Sequence, residues 1–271
     1  MRFGLGLGLG KSISTSLVRD PLAGIPFAAR FQTTYLEVEW NDSVNGGAGG
    51  LSCTTKDIYG NQLLWQDAAG TIPAINADDI VMRWDDPKTG VSAIQTNTVN
   101  APTLQFAQNA NGIWVPYLDF TAGNMLNAGT TGIPTLPIYY VFGFAPISCN
   151  LGYSGLICGK DVGGLNPSLF NGLTPSLDVS AADDSATIIA CVVNQFTTIR
   201  SSIQSTGFSI SNGLQSVSNN ISYSDDGIIP ITIGDRVGSA RQISMQLTSV
   251  ILPLNPADVP SVFAYAATLN P

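Results

Sequence analysis

Histidine is absent from the chain. With it go His-based catalytic triads, His-ligated metal sites and His pH switches. Glutamate occurs only at Glu37 and Glu39. Charged residues make up 11% of the 271 residues, well under the usual quarter or so. Lys and Arg number 11 against 19 Asp and Glu, for a net charge of −8, and the basic residues are scattered. Phosphate recognition needs clustered Lys and Arg, so a nucleic-acid partner is not expected. The four cysteines, Cys53, Cys149, Cys158 and Cys191, form no C-x-x-C pair, which leaves zinc-ribbon and thioredoxin-type motifs unsupported. Buried free thiols are the expectation, with Cys149 and Cys158, which flank a Gly-rich turn, the first pair to test for a bridge. No stretch reaches the roughly 18–20 apolar residues of a membrane span.

What is there begins with MRFGLGLGLGKSISTS. The Gly10-Lys11-Ser12 run is out of register for a phosphate-binding loop, because Leu5 stands where that loop requires its first Gly. The apolar run is half glycine and lacks a clean small-residue cleavage site, which argues against a secretion signal. An extended adhesive arm remains. Leu5, Leu7 and Leu9 would then share one face and bind a neighbouring surface. Residues 1–30 are expected to form this arm and residues 31–271 a single domain.

Gly, Ser, Thr and Asn are abundant and Pro is spread throughout, a sheet-and-turn composition. FQTTYLEVEW (31–40) alternates as a half-buried strand. PIYYVFGFAPI (137–147) is a dense aromatic and β-branched run of strand length. SATIIACVVNQ (185–195) is apolar on both faces and predicts a central strand with Val192 and Val193 buried. RSSIQSTGFSISN (200–212), IIPITIG (228–234) and RQISMQLTSVILPL (241–254) complete the strand-like segments. One helix is predicted over 256–269, with Asn255 as cap and Pro256 in the first turn. Many short strands between turn signals predict an all-β fold: a two-sheet antiparallel β-sandwich, or jelly roll, with a short C-terminal helix.

Residues 63–86 (LLWQDAAGTIPAINADDIVMRWDD), 93–106 (AIQTNTVNAPTLQF) and 112–126 (GIWVPYLDFTAGNML), taken in that order, resemble a module common in bacteriophage and prophage virion proteins. Residues 231–269 resemble the last strands and closing helix of concanavalin A-like, laminin-G-like jelly rolls. Together the resemblance covers about residues 62–271. It departs from the family at FTAGNML, which lacks the usual acidic pair, and near Arg241-Gln242, where a Gly is replaced. It implies a concanavalin A-like jelly roll in a virion setting, assembled in the host cytoplasm. The implied partners are other virion proteins (capsid, collar or tail subunits), in multiple copies or as a homo-oligomer.

Glycosidase chemistry needs two carboxylates across the scissile bond. Glu37-Val38-Glu39 supplies two on one strand, without the alternating Glu-x-Asp-x-x-Glu strand of jelly-roll glucanases. The Asp pairs 78–79, 85–86, 183–184 and 225–226 sit in predicted turns, where Ca²⁺ is a chemical possibility but turn formation suffices. Trp40, Trp65, Trp84 and Trp114 could stack sugars or fill the core. Ser154 has no His to activate it. The expectation is therefore a non-enzymatic virion structural protein held by its arm, with no cofactor. The alternative is a carbohydrate-binding module of a tail fibre that recognises host glycans.

Overall fold

The computed structural model describes residues 20–33, 38–41, 49–120, 124–129, 136–149, 154–158, 169–173, 176–181, 188–220, 231–234 and 243–271. Leu5, Leu7, Leu9, Glu37 and the Asp pairs 183–184 and 225–226 lie outside these residues.

Nineteen strands are described: β1 (Phe27–Gln32), β2 (Val38–Asn41), β3 (Gly50–Cys53), β4 (Leu64–Trp65), β5 (Arg83–Asp86), β6 (Val91–Ile94), β7 (Thr103–Gln108), β8 (Trp114–Phe120), β9 (Leu126–Gly129), β10 (Ile138–Cys149), β11 (Ser154–Cys158), β12 (Leu169–Leu173), β13 (Ser176–Ala181), β14 (Ile188–Ala190), β15 (Thr197–Gln204), β16 (Gly207–Ser211), β17 (Ser216–Asn219), β18 (Ile231–Ile233) and β19 (Ile243–Pro253). One sheet has the order β17-β16-β15-β10-β19-β8-β7. The other runs β14-β13-β12-β11-β18-β9-β6-β5-β4, and β2-β3 is a separate hairpin. The described pairings are antiparallel. The protein is thus an all-β sandwich, as the strand pattern predicts.

Alternation builds the core. Tyr140, Phe142 and Phe144 of β10, Met245 and Leu247 of β19, and Ile199 and Ile203 of β15 meet Trp84, Leu126, Ile231 and Ile233 of the opposite sheet. β10 is also apolar on its outer face because the helix α1 (Val259–Thr268) covers it. Val262 and Ala266 pack there on Val141, Ile251, Phe27 and Leu22. Pro146 is accommodated inside β10 because β15 has already ended beside it. The Pro146 carbonyl instead accepts from Asn194 N–H at 2.8 Å.

Four expectations are revised. β1 begins at Phe27, so the boundary drawn at residue 30 falls inside a strand that pairs with β19 from Phe27↔Pro253 to Gln32↔Ser249. The 185–195 run is not a central strand. β14 stops at Ala190 on the sheet's edge, Asn194 turns with φ 57°, and Val192 and Val193 are 65% and 47% exposed. The 200–212 segment is a hairpin of β15 and β16, paired from Arg200↔Ser211 to Gln204↔Gly207. Asn255 donates its side-chain amide to Asp258 Oδ2 at 3.2 Å and does not cap the backbone. No helix among the described residues is long and apolar enough to cross a membrane.

Candidate functional site

Every residue of β1 is buried, including Arg30 and Gln32. A guanidinium in that position needs partners, because an unpaired buried charge is strongly unfavourable. It finds them in Asp20, which accepts from Nη1 at 2.7 Å and Nη2 at 2.8 Å, and in Gln32 Oε1, which accepts from Nε at 3.0 Å. The Tyr265 ring of α1 lies 5.7 Å from the guanidinium carbon and the Phe27 ring 5.5 Å from it. Burial pushes the Tyr265 hydroxyl well above the usual phenol range, so it stays protonated and donates to Gln32 Oε1 at 3.3 Å.

Asp86 enters from the end of β5. Its carboxylate accepts from Arg30 N–H at 2.6 Å, from Lys88 N–H at 3.0 Å, and from the N–H and hydroxyl of Thr89. Burial raises its pKa above the ordinary carboxylate value, against the lowering effect of those donors. Lys88 reaches back with Nζ 4.0 Å from Asp20 Oδ2 and 5.0 Å from the Phe27 ring centroid. Asp20, Arg30, Gln32, Asp86 and Lys88 line an open cleft of about 160 Å³.

The turn Asp57-Ile58-Tyr59-Gly60-Asn61 also lines the cleft, through Asp57, Tyr59 and Asn61. Asp57 Oδ1 accepts from Tyr59 N–H at 2.8 Å and Asn61 N–H at 2.9 Å, while Oδ2 accepts from the Asn61 amide at 2.9 Å. Gly60 turns with φ 86°, a conformation glycine adopts without strain. This self-bonded turn presents the Tyr59 ring 69% exposed at the cleft mouth. An aromatic face beside planar amides, a carboxylate and a cation is well suited to a polyhydroxylated ligand. The ring offers apolar contact, and the polar groups offer donors and acceptors in fixed directions.

The other candidate residues serve structure. Trp84 is fully buried and donates to the Gln32 carbonyl at 3.1 Å. Trp65 donates to Asp85 Oδ2 at 2.8 Å, and Asp85 also accepts from Arg83 and Ser92. Trp40 and Trp114 are 64% and 39% exposed and do not line this cleft. Asp79 closes its turn by accepting from Ile75 and Asn76 N–H, each at 2.8 Å. Among the described residues no three His, Cys, Asp or Glu side chains converge as a metal site. Cys53 is buried, with its thiol pushed up to about 12 chiefly by that burial, and the Cys191 thiol donates to the Ile189 carbonyl at 3.8 Å. Cys149 and Cys158 stand on strands of different sheets.

Sequence reasoning missed the cleft because Asp20, Arg30, Asp57 and Asp86 are distant along the chain. The available signal was DIYGN, an Asp-led, Gly-containing turn that holds a tyrosine out of the core.

No family model matches the chain, and no curated protein does. Solved structures do share the fold. A GH54 α-L-arabinofuranosidase soaked with a cyclic sulfate inhibitor matches with a TM-score of 0.56 and 11% identity, over 90% of this chain and 63% of that one. An arabinofuranosidase complexed with arabinofuranosyl-α-1,2-xylobiose matches with a TM-score of 0.52 and 11% identity, over the same shares. Trypanosoma rangeli sialidase in complex with 2,3-difluorosialic acid gives 0.49 and 15% identity, over 70% of this chain and 32% of that one. The chain therefore spans about a third of the sialidase and less than two thirds of the arabinofuranosidases. At such identities the likeness to the two arabinofuranosidases establishes the β-sandwich fold alone. The expectation of a non-enzymatic virion protein is corrected: the two arabinofuranosidases that share the fold are enzymes, and neither is a phage component.

Proposed function

We propose that the protein recognises carbohydrate and that a saccharide unit binds in the cleft beneath Tyr59. The observation that carries this reading is the pairing of that exposed ring with a floor of pre-oriented polar groups. Arg30, Asp20, Gln32 and Asp86 are locked by one another, so a ligand would meet a rigid surface with little ordering cost. Asn61 and Lys88 on the rim supply donors that can turn toward sugar hydroxyls. The sandwich shared with two arabinofuranosidases supports the same ligand class.

The test is a glycan array probed with the full chain, followed by calorimetric titration of the strongest glycan. The expected result is saturable one-site binding. Retention of no glycan above background would overturn the reading. Release of reducing ends from a bound glycan would extend it from recognition to processing.

A further inference from the structure

Two arginines flank α1, one on each side. Arg30 stacks near Tyr265 and is fully engaged with Asp20. Arg200 of β15 lies 5.1 Å from the Phe263 ring and has no ion pair among the described residues. It lines a second groove, between the start of α1 and the outer face of β15 and β16. Among the described residues no carboxylate lines that groove. The nearby acid at the start of the helix, Asp258, is engaged by the Asn255 amide.

The strand side of the groove is rich in hydroxyls, and Pro256, Val259 and Pro260 line its helix side. Across neighbouring strands the register sets Tyr139 opposite Ser202, Ser202 opposite Ser209, and Arg200 opposite Ser211, with Ser211 in turn opposite Ser216. All of these residues line the groove. Neighbouring strands lie about 4.8 Å apart, so the serines form a ladder of groups that can each donate and accept. We infer that this groove is a second binding site, for a saccharide that carries a carboxylate. Arg200 would hold the carboxylate and the serine ladder the ring hydroxyls.

The protein carries a net charge of −8, so it does not attract anions at long range, and an anion must be recognised by local contacts. A guanidinium presents a planar fork that matches a carboxylate with two parallel hydrogen bonds. The Phe263 ring limits the freedom of Arg200 before the ligand arrives. A bare carboxylate would use only the fork. A polyhydroxylated one would use the ladder as well, which selects a sugar acid over a simple anion. This site shares the ligand class of the first cleft but none of its residues, and each can fail alone.

The experiment titrates the full chain with tetragalacturonate and, as a matched neutral ligand, its fully methyl-esterified form. The inference predicts binding of the acid at least about tenfold tighter than the ester. Arg200→Gln should abolish that difference, and Arg200→Lys should retain part of it. Acetate at equal carboxylate concentration should not compete, and a tetraglutamate peptide should bind at least about tenfold more weakly. Tyr59→Ala should leave the acid's affinity in place, which separates this groove from the cleft. Absence of tetragalacturonate binding, equal affinity for acid and ester, or unchanged affinity in a folded Arg200→Gln protein each overturns the assignment. So does competition by acetate, or peptide binding of equal strength.

Discussion

The Arg30 guanidinium and the Asp20 carboxylate form a two-point pair, 2.7 and 2.8 Å long, with side chains 5% and 2% exposed. The pair ties the chain just before β1 to β1 itself, and it forms the base of the cleft. Removal of one partner leaves the other charged, buried and uncompensated. Asp20→Asn should therefore destabilise the fold by about 3–5 kcal/mol, measured by denaturant unfolding. The double variant Asp20→Asn, Arg30→Met should cost less than the sum of its singles, because neither partner is then left alone. Strict additivity would mean that the pair does not act as a unit.

Asp67 and Asp86 should titrate on opposite sides of the ordinary aspartate value. Asp67 is held down by the N–H of Ile72 and by the N–H and hydroxyl of Thr71, whereas Asp86 is pushed up by burial. The consequences for stability have opposite signs. Asp67 contributes stability that is present above its unfolded pKa and is lost as pH falls through its lowered native one. Asp86 binds its proton more tightly when folded, so its contribution weakens as pH rises from the unfolded value through the raised native one. Carboxyl ¹³C shifts followed by NMR between pH 2 and 7 should place the Asp67 midpoint below that of Asp86. The reverse order would refute this description of the two carboxylates.

Val193→Asp should change stability by no more than about 0.5 kcal/mol, read from the shift in denaturant midpoint, because the side chain is 47% exposed beyond the end of β14. A loss of several kcal/mol would restore the buried strand that the apolar run suggests.

That contrast shows what the sequence made legible. The segments 138–149 and 243–253 read correctly because their alternation is long enough to fix a buried face and because aromatic and β-branched residues dominate. The C-terminal helix read correctly because Pro256 and Pro260 are tolerated only near a helix start. The 185–195 run misled because an apolar stretch carries no sign of where it leaves the sheet. The turn at Asn194 ends it, and local propensity did not reveal that turn. The cleft was illegible for another reason. Its floor joins Asp20 to Arg30 and Arg30 to Asp86, 10 and 56 positions apart, and the second contact exists because β1 packs against β5.

Gly207→Ala should weaken the edge of the sheet. Gly207 has φ 152°, and an added Cβ would lie 2.2 Å from the backbone oxygen of Asn219, so β17 must shift away from β16. The expected cost is about 1–3 kcal/mol. Hydrogen exchange should show faster amide exchange in residues 216–219 than in β10. Unchanged protection at both would mean that the edge accommodates the methyl group.

Tyr59 and the polar floor beneath it form the proposed saccharide site. The most direct measurement is calorimetric titration of the strongest array glycan into wild type and Tyr59→Ala, with thermal unfolding of both proteins as control. Tyr59 is 69% exposed, so its loss should leave the unfolding midpoint nearly unchanged. Loss of the ring should weaken binding at least about tenfold, equivalent to about 1.4 kcal/mol. Equal affinity in the two proteins, with both folded, would contradict it.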